Sequence, residues 1–250
     1  MPDTPPVRRT AVVTGAASGL GQVFAEHLAA TGHDVAVCDL VDCTETVERI
    51  RAHGRRAVAE IADVSVPEDV TRFADAVHAE LGPIGVLINN VGISPYNRFL
   101  DITLEEWRTV MRVNLDSLLL VTQAFLPDMI DAGAGRIICM TSSVVWDPKT
   151  IAMSHYTASK GGVWAFARAL AGEVGEHGVT VNCIAPGLIR TPLLAERIPP
   201  EQWEEDRQRQ LVPRTLVPED LLAALDFLVS DAASAVTGVT VPVNGGRVFL

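Results

Sequence analysis

Positive charge is scarce. The 250 residues carry 20 Lys and Arg against 31 Asp and Glu, a net charge of −11. Phosphate backbones are gripped by clustered Lys and Arg, so this balance speaks against a nucleic-acid partner. It fits a soluble cytoplasmic protein kept dispersed by like-charge repulsion. Cysteine is sparse too. Cys38, Cys43, Cys139 and Cys183 are scattered, with no Cys-x-x-Cys. That predicts reduced thiols in or near strands, with no disulfide framework and no metal site. Long apolar runs are missing: no stretch reaches the roughly 18 residues of a membrane span. The opening "MPDTPPVRRTAVVTG" also lacks the apolar stretch of a signal peptide.

What is present is alternation. Apolar runs at 10–15, 34–39, 57–64, 84–90, 135–143, 179–187 and 239–246 read as strands. Between them lie helical patterns at 21–32, from Ser65 onward, 103–132, 156–177 and 218–230. Ser65 with Glu68, and Thr103 with Glu106, have capping-box spacing. Nearly continuous apolar strands indicate a parallel sheet covered on both faces. The predicted fold is α/β: a single-domain Rossmann fold, a doubly wound seven-stranded parallel sheet with helices on both faces. The long irregular section, 188–217, is expected to be a functional lid. Its charged run, 204–209, reads as a solvated helix face.

"TGAASGLG" (14–21) joins the first strand to the first helix. Gly15, Gly19 and Gly21 permit a tight turn and close approach to a pyrophosphate, which faces the helix N-terminus. Asp39 ends the second strand, where an acid either accepts both ribose hydroxyls of adenosine or caps the loop. As a ribose ligand it repels a 2′-phosphate, and no Arg or Lys in the loop or just after Asp39 offsets that. The expected cofactor is therefore NAD rather than NADP.

These motifs, with "DV" (63–64), "NNVG" (89–92), Asn114, Ser143, Tyr156-x3-Lys160 and "PGLIRT" (186–191), resemble the short-chain dehydrogenases/reductases along almost the whole chain. "SVVW" (143–146), "SHYTASK" (154–160), "APGLIRT" (185–191) and "NNVGISP" (89–95) are most similar to bacterial 1-phenylethanol dehydrogenases within that family. The resemblance implies catalytic roles for Asn114, Ser143, Tyr156 and Lys160, with Asn114 holding a water that links Lys160 to solvent. It implies cofactor contacts from Gly15, Ser18, Gly19, Leu20, Gly21, Asp39, Leu40, Asp63, Val64, Asn90, Val91, Gly92, Tyr156, Lys160, Pro186, Gly187, Ile189 and Thr191. Val91 departs from the family's usual Ala and adds bulk beside the adenosine site. The family's dimers and tetramers imply a homotetramer built on helices near 104–131 and 156–177, with "GGRVFL" reaching a neighbouring subunit.

Alone, a Tyr and a Lys four residues apart describe a solvated helix face. With the glycine loop and Ser143 in register they describe an acid–base pair. A free phenol has a pKa near ~10, and a neighbouring cation favours the phenolate. Ser143, expected at a strand end thirteen positions before Tyr156, is suited to orient the substrate oxygen. His155 is expected to pack or face solvent.

The predicted substrate pocket comprises Ile93, Pro95, Tyr96, Val145, Trp146, Met153, Leu188, Leu193, Leu194 and Trp203. Trp146 and Trp203 are equally suited to core or interface packing. With no Arg or Lys among these residues, the expected small-molecule substrate is an uncharged hydrophobic secondary alcohol or its ketone, aryl ones included. Two other readings stand beside this one: an NADPH-dependent 3-oxoacyl thioester reductase and a non-catalytic NAD-sensing protein.

Overall fold

The computed structural model describes residues 7–249. The apolar runs form β1 (Thr10–Thr14), β2 (Asp34–Asp39), β3 (Ala57–Ile61), β4 (Val86–Asn89), β5 (Gly135–Met140), β6 (Val179–Pro186) and β7 (Thr240–Val243). They make one seven-stranded sheet in the order β3-β2-β1-β4-β5-β6-β7, with every neighbouring pair parallel. The chain winds outward through β2 and β3, then crosses back to lay β4 against the other side of β1. Winding reverses between β1 and β4, and the loops after these strands part to leave a crevice at the carboxyl edge.

The helices are α1 (Gly19–Ala30), α2 (Thr44–Ala52), α3 (Pro67–Glu80), α4 (Leu104–Met111), α5 (Ser117–Ala132), α6 (Ser154–Val174), α7 (Pro192–Arg197), α8 (Pro200–Gln208) and α9 (Leu222–Val229). Side chains alternate across each strand, so each strand feeds two cores. Ala11 and Val13 join Phe24 and Leu28 of α1, Ile50 of α2 and Leu225 of α9. Val12 points the other way, to the cluster of Phe73 on α3, Phe125 on α5 and Val163 on α6. Among the described residues, no helix is long and apolar enough to cross a membrane. All four cysteines are buried free thiols.

Several expected boundaries shift. α2 went unpredicted because only Thr46, Val47 and Ile50 of its nine residues are buried. Ser65 is not a cap: its backbone N–H and hydroxyl both donate to Asp63 Oδ1, and α3 starts at Pro67. Thr103 does cap α4, accepting from the Glu106 N–H at 3.1 Å. The Glu106 carboxylate, however, turns to Asn97 and His155 rather than back to Thr103. The predicted continuous helix 103–132 is interrupted by a π-helical turn, Arg112–Asp116, which turns Asn114 inward. The segment 188–217 is less irregular than expected, since α7 and α8 occupy much of it.

Candidate active site

Residues from the β5 and β6 ends, the start of α6 and the lid helices surround a cavity of about 420 Å3. Ser142, Ser143, Tyr156 and Lys160 all line it. β5 ends at Met140, so Ser143 opens a short 3₁₀ turn (Ser143–Val145) rather than ending the strand. Tyr156 and Lys160 occupy successive turns at the start of α6. The Thr141 hydroxyl donates to the Lys160 carbonyl at 2.8 Å and ties that helix to β5.

Lys160 is 4% exposed, and its Nζ donates to the Met140 carbonyl at 2.7 Å. Its ammonium stands 5.9 Å from the centre of the Tyr156 ring. Burial pushes the Lys160 pKa down to about 8. Burial also pushes the Tyr156 phenol up to about 12, against a hydrogen bond with Ser142 that pulls it down. The expectation that Lys160 holds the phenol low is therefore not met by the protein groups alone. The ammonium is committed to a carbonyl, and desolvation drives both groups toward neutrality. Ser142 and Ser143, the latter expected to hold the substrate oxygen, both line the cavity beside the phenol.

Asn114 lies behind this group and does not line the main cavity. Its Oδ1 accepts from the Ile93 N–H at 2.8 Å, and its Nδ2 donates to the Ile93 carbonyl and the Ser159 hydroxyl, both at 2.9 Å. A void of about 10 Å3 lies among Asn114, Ser117, Thr14 and Lys160. That is the lower limit for one water. His155 is fully buried against Glu106, 3.1 Å away, so it packs as expected.

The glycine loop has the predicted form. Gly15 takes φ 67°, and a Cβ there would lie 3.1 Å from Val91 Cγ2. Val91 thus packs on the turn itself. A Cβ on Gly21 would meet the Gly15 carbonyl oxygen at 2.1 Å, so only glycine lets α1 start this close. Asn90 braces the loop, its Nδ2 donating to the Thr14 and Gly15 carbonyls at 3.0 Å each. Asp39 accepts from the Ala17 N–H at 3.0 Å and the Leu40 N–H at 2.7 Å. It caps the loop while a lone pair stays free on each oxygen. Leu20, Asn90, Gly92, Pro186, Gly187, Ile189 and Thr191 line the cavity. Gly15, Ser18, Gly19, Gly21, Asp39, Leu40, Asp63, Val64 and Val91 do not; they follow β1 to β4 along the sheet edge. A shallow backbone cradle with an acid at one end fits a dinucleotide.

The chain matches, over residues 15–247, the family described as enoyl-(acyl carrier protein) reductase. It is 35% identical to 2-dehydro-3-deoxy-D-gluconate 5-dehydrogenase of Escherichia coli, covering 95% of this chain and 94% of that one. The chain belongs to the short-chain dehydrogenase/reductase family. Within this family it is also 36% identical to the 3-oxoacyl-(acyl-carrier-protein) reductase FabG of Pseudomonas aeruginosa, covering 95% of this chain and 96% of the relative. The crystal structure of levodione reductase superposes with a TM-score of 0.91 at 29% identity, covering 97% of this chain and 98% of that one. The family acts as oxidoreductases on CH–OH groups with nicotinamide cofactors.

The substrate side departs from expectation more than the family's motifs do. Tyr96, Met153, Leu188, Leu193 and Leu194 line the cavity as predicted; Ile93, Pro95, Val145, Trp146 and Trp203 do not. Ile93 is fixed by its backbone to Asn114. Val145 and Trp146 face a separate open hollow, with Trp146 packed edge-on against Trp164. Trp203 donates its indole N–H to the Ile198 carbonyl at 3.1 Å.

Sequence reading missed Lys149, Gln202, Glu205, Asp206, Arg209 and Arg247 on the wall. The run 204–209 is only half solvated: Glu204 pairs with Arg207 outside, while Asp206 and Arg209 turn inward. Arg209 Nη2 meets both Asp147 oxygens at 2.7 and 2.8 Å. Arg247 donates from Nη2 to Asp147 at 2.6 Å and from Nη1 to Asp206. Arg247 thus ties the end of the chain to the cavity wall. Burial raises the Asp147 pKa, but the Lys149 N–H and the two arginines outweigh it and hold the carboxyl below its ordinary range.

Proposed function

We propose that the protein is an NAD-dependent oxidoreductase interconverting a secondary alcohol and its ketone, with Tyr156 as general base and acid. The convergence of Ser142, Ser143, Tyr156 and Lys160 on a cavity that also meets Leu20 and Thr191 of the cofactor side carries this reading. Bound NAD supplies the hydride acceptor and, reduced, the donor. The glycine-loop N–H groups at the start of α1 hold its pyrophosphate. Asp39 takes the adenosine ribose, Asp63 and Val64 the adenine, and Lys160 the nicotinamide ribose. Asn90, Val91 and Gly92 flank the adenosine side. Pro186, Gly187, Ile189 and Thr191 form the carboxamide wall.

A phenol pushed up to about 12 is protonated at neutral pH, so Tyr156 is ready to protonate a ketone oxygen. Oxidation needs that proton removed. Lys160 and Asn114, on either side of a void near the size of a water, are arranged to relay it outward. Ser142 orients the phenol, and Ser143 holds the substrate oxygen. Met153, Leu188, Leu193 and Leu194 enclose an apolar body, and the lid segment 188–217 excludes water. Exposed Leu104, Trp107 and Leu119 on α4 and α5 support assembly into the homotetramer.

The likeness to FabG favours a second reading, an NADPH-dependent 3-oxoacyl thioester reductase. Asp39 opposes it, because no cation in the glycine loop or directly after Asp39 offsets its repulsion of a 2′-phosphate. Initial rates over a panel of secondary alcohols and ketones, with either cofactor, separate the two. We expect at least a tenfold preference for NAD. A preference for NADP, or turnover restricted to 3-oxoacyl thioesters, would overturn the choice.

A further inference from the structure

Four charged groups from three distant segments meet at the cavity wall, and three of them line it. Asp147 is 6% exposed and follows the Ser143 turn; Asp206, at 7%, and Arg209 belong to α8 and the turn after it; Arg247 belongs to the tail. Such a group is a weak stability device, because desolvation cancels much of the Coulomb gain and apolar replacements often do as well. Its clearest effect here is geometric. Asp147 does not line the cavity, but it fixes the two guanidiniums that do.

The two arginines differ in what they have left to give. Arg247 spends both Nη groups on aspartates, and its Nε is buried without a partner among the described residues. Arg209 spends only Nη2. Its Nε and Nη1 have no partner among the described residues and are not among the buried unpaired atoms, so they remain open. Lys149, on the same wall, has an ammonium that makes no ion pair among the described residues.

We propose that this wall is an anion seat for the same reaction: the substrate is a secondary alcohol or ketone bearing a carboxylate, received by Arg209 with Lys149. Asp147 and Arg247 are positioning residues that hold the Arg209 guanidinium. The proposal rests on the oxidoreductase reading and names its substrate class. Guanidinium N–H groups bond carboxylates through charge-assisted hydrogen bonds, stronger than those to a neutral acceptor. Glu205 lines the same wall, makes no ion pair among the described residues and opposes an anion. It therefore gives the test an arm of opposite sign.

The test titrates para-acetylbenzoate and para-acetylbenzamide, ketones of one shape that differ by the charge, into the protein by calorimetry with NADH present and absent. We expect the carboxylate to bind at least tenfold more tightly. That preference should fall close to unity in Arg209→Gln, return in part in Arg209→Lys, and widen in Glu205→Gln. The last variant leaves the four-membered group intact and decides the matter even if Arg209→Gln fails to fold. Equal binding of the two ketones, no measurable binding of either, or a preference unmoved by Glu205→Gln would overturn the anion seat. Carboxylate preference in binding with no turnover of any alcohol or ketone would instead sink the oxidoreductase reading and leave the seat standing.

Discussion

The two sides of the cleft are held by different forces. On the cofactor side, the contacts are to backbone: Gly21 against the Gly15 carbonyl, Asn90 on the Thr14 and Gly15 carbonyls, and Asp39 on the Ala17 N–H. On the substrate side, the contacts are between charged side chains: Asp147 with Arg209 and Arg247, and Arg247 with Asp206. A backbone cradle fails by steric collision, even though its choice of cofactor rests on the charge of Asp39. A buried ionic group fails when one member is lost, because its partners are left charged and uncompensated. Damage to one side should therefore leave the other working.

The sharpest test of that separation is Asp147→Ala. It leaves Arg209 without a carboxylate and Arg247 with Asp206 alone, and should cost about 3–5 kcal/mol of stability. Cofactor affinity in the folded fraction should stay within about twofold of wild type, which thermal melts and NADH fluorescence titration together measure. Gly21→Ala works the other side. A methyl 2.1 Å from the Gly15 oxygen forces the turn apart, at about 1–3 kcal/mol for overpacking. It should weaken NAD binding by more than tenfold while the carboxylate preference persists. A Gly21→Ala protein with normal NAD affinity would break the comparison.

A third effect lies where the two sides meet. Burial lowers the Lys160 pKa to about 8 from 10.5, so the fold disfavours the cation. Between those values the unfolded chain binds more protons, and stability rises with pH. Lys160→Met removes this dependence. Its melting temperature should exceed that of wild type by most below pH 8, and the gap should narrow as pH approaches 10.5. A gap that widens with pH would reverse the sign.

The same contrast explains what could be read from sequence. The strands of a covered parallel sheet are mostly apolar runs, so all seven were legible, even the partly exposed β3 and β7, as were the glycine loop and Tyr156 with Lys160, whose spacings are local. α2 was hidden because it covers the sheet with so few residues. The π-turn was hidden because nothing in "RVNLD" signals an extra residue per turn; only the loop held by Asn114 explains it. The charged wall was least legible. Asp147 and Arg247 are 100 positions apart, and neither has a local partner that marks it as inward-facing.

The central claim is that Tyr156 moves the substrate proton in an NAD-linked reaction. The direct measurement is NADH formation from a secondary alcohol by wild type and Tyr156→Phe, with NAD binding determined on both. General acid–base groups contribute about 10²–10⁴-fold. The account predicts a loss of at least that size in turnover with NAD affinity retained. Near-normal turnover by Tyr156→Phe would contradict it.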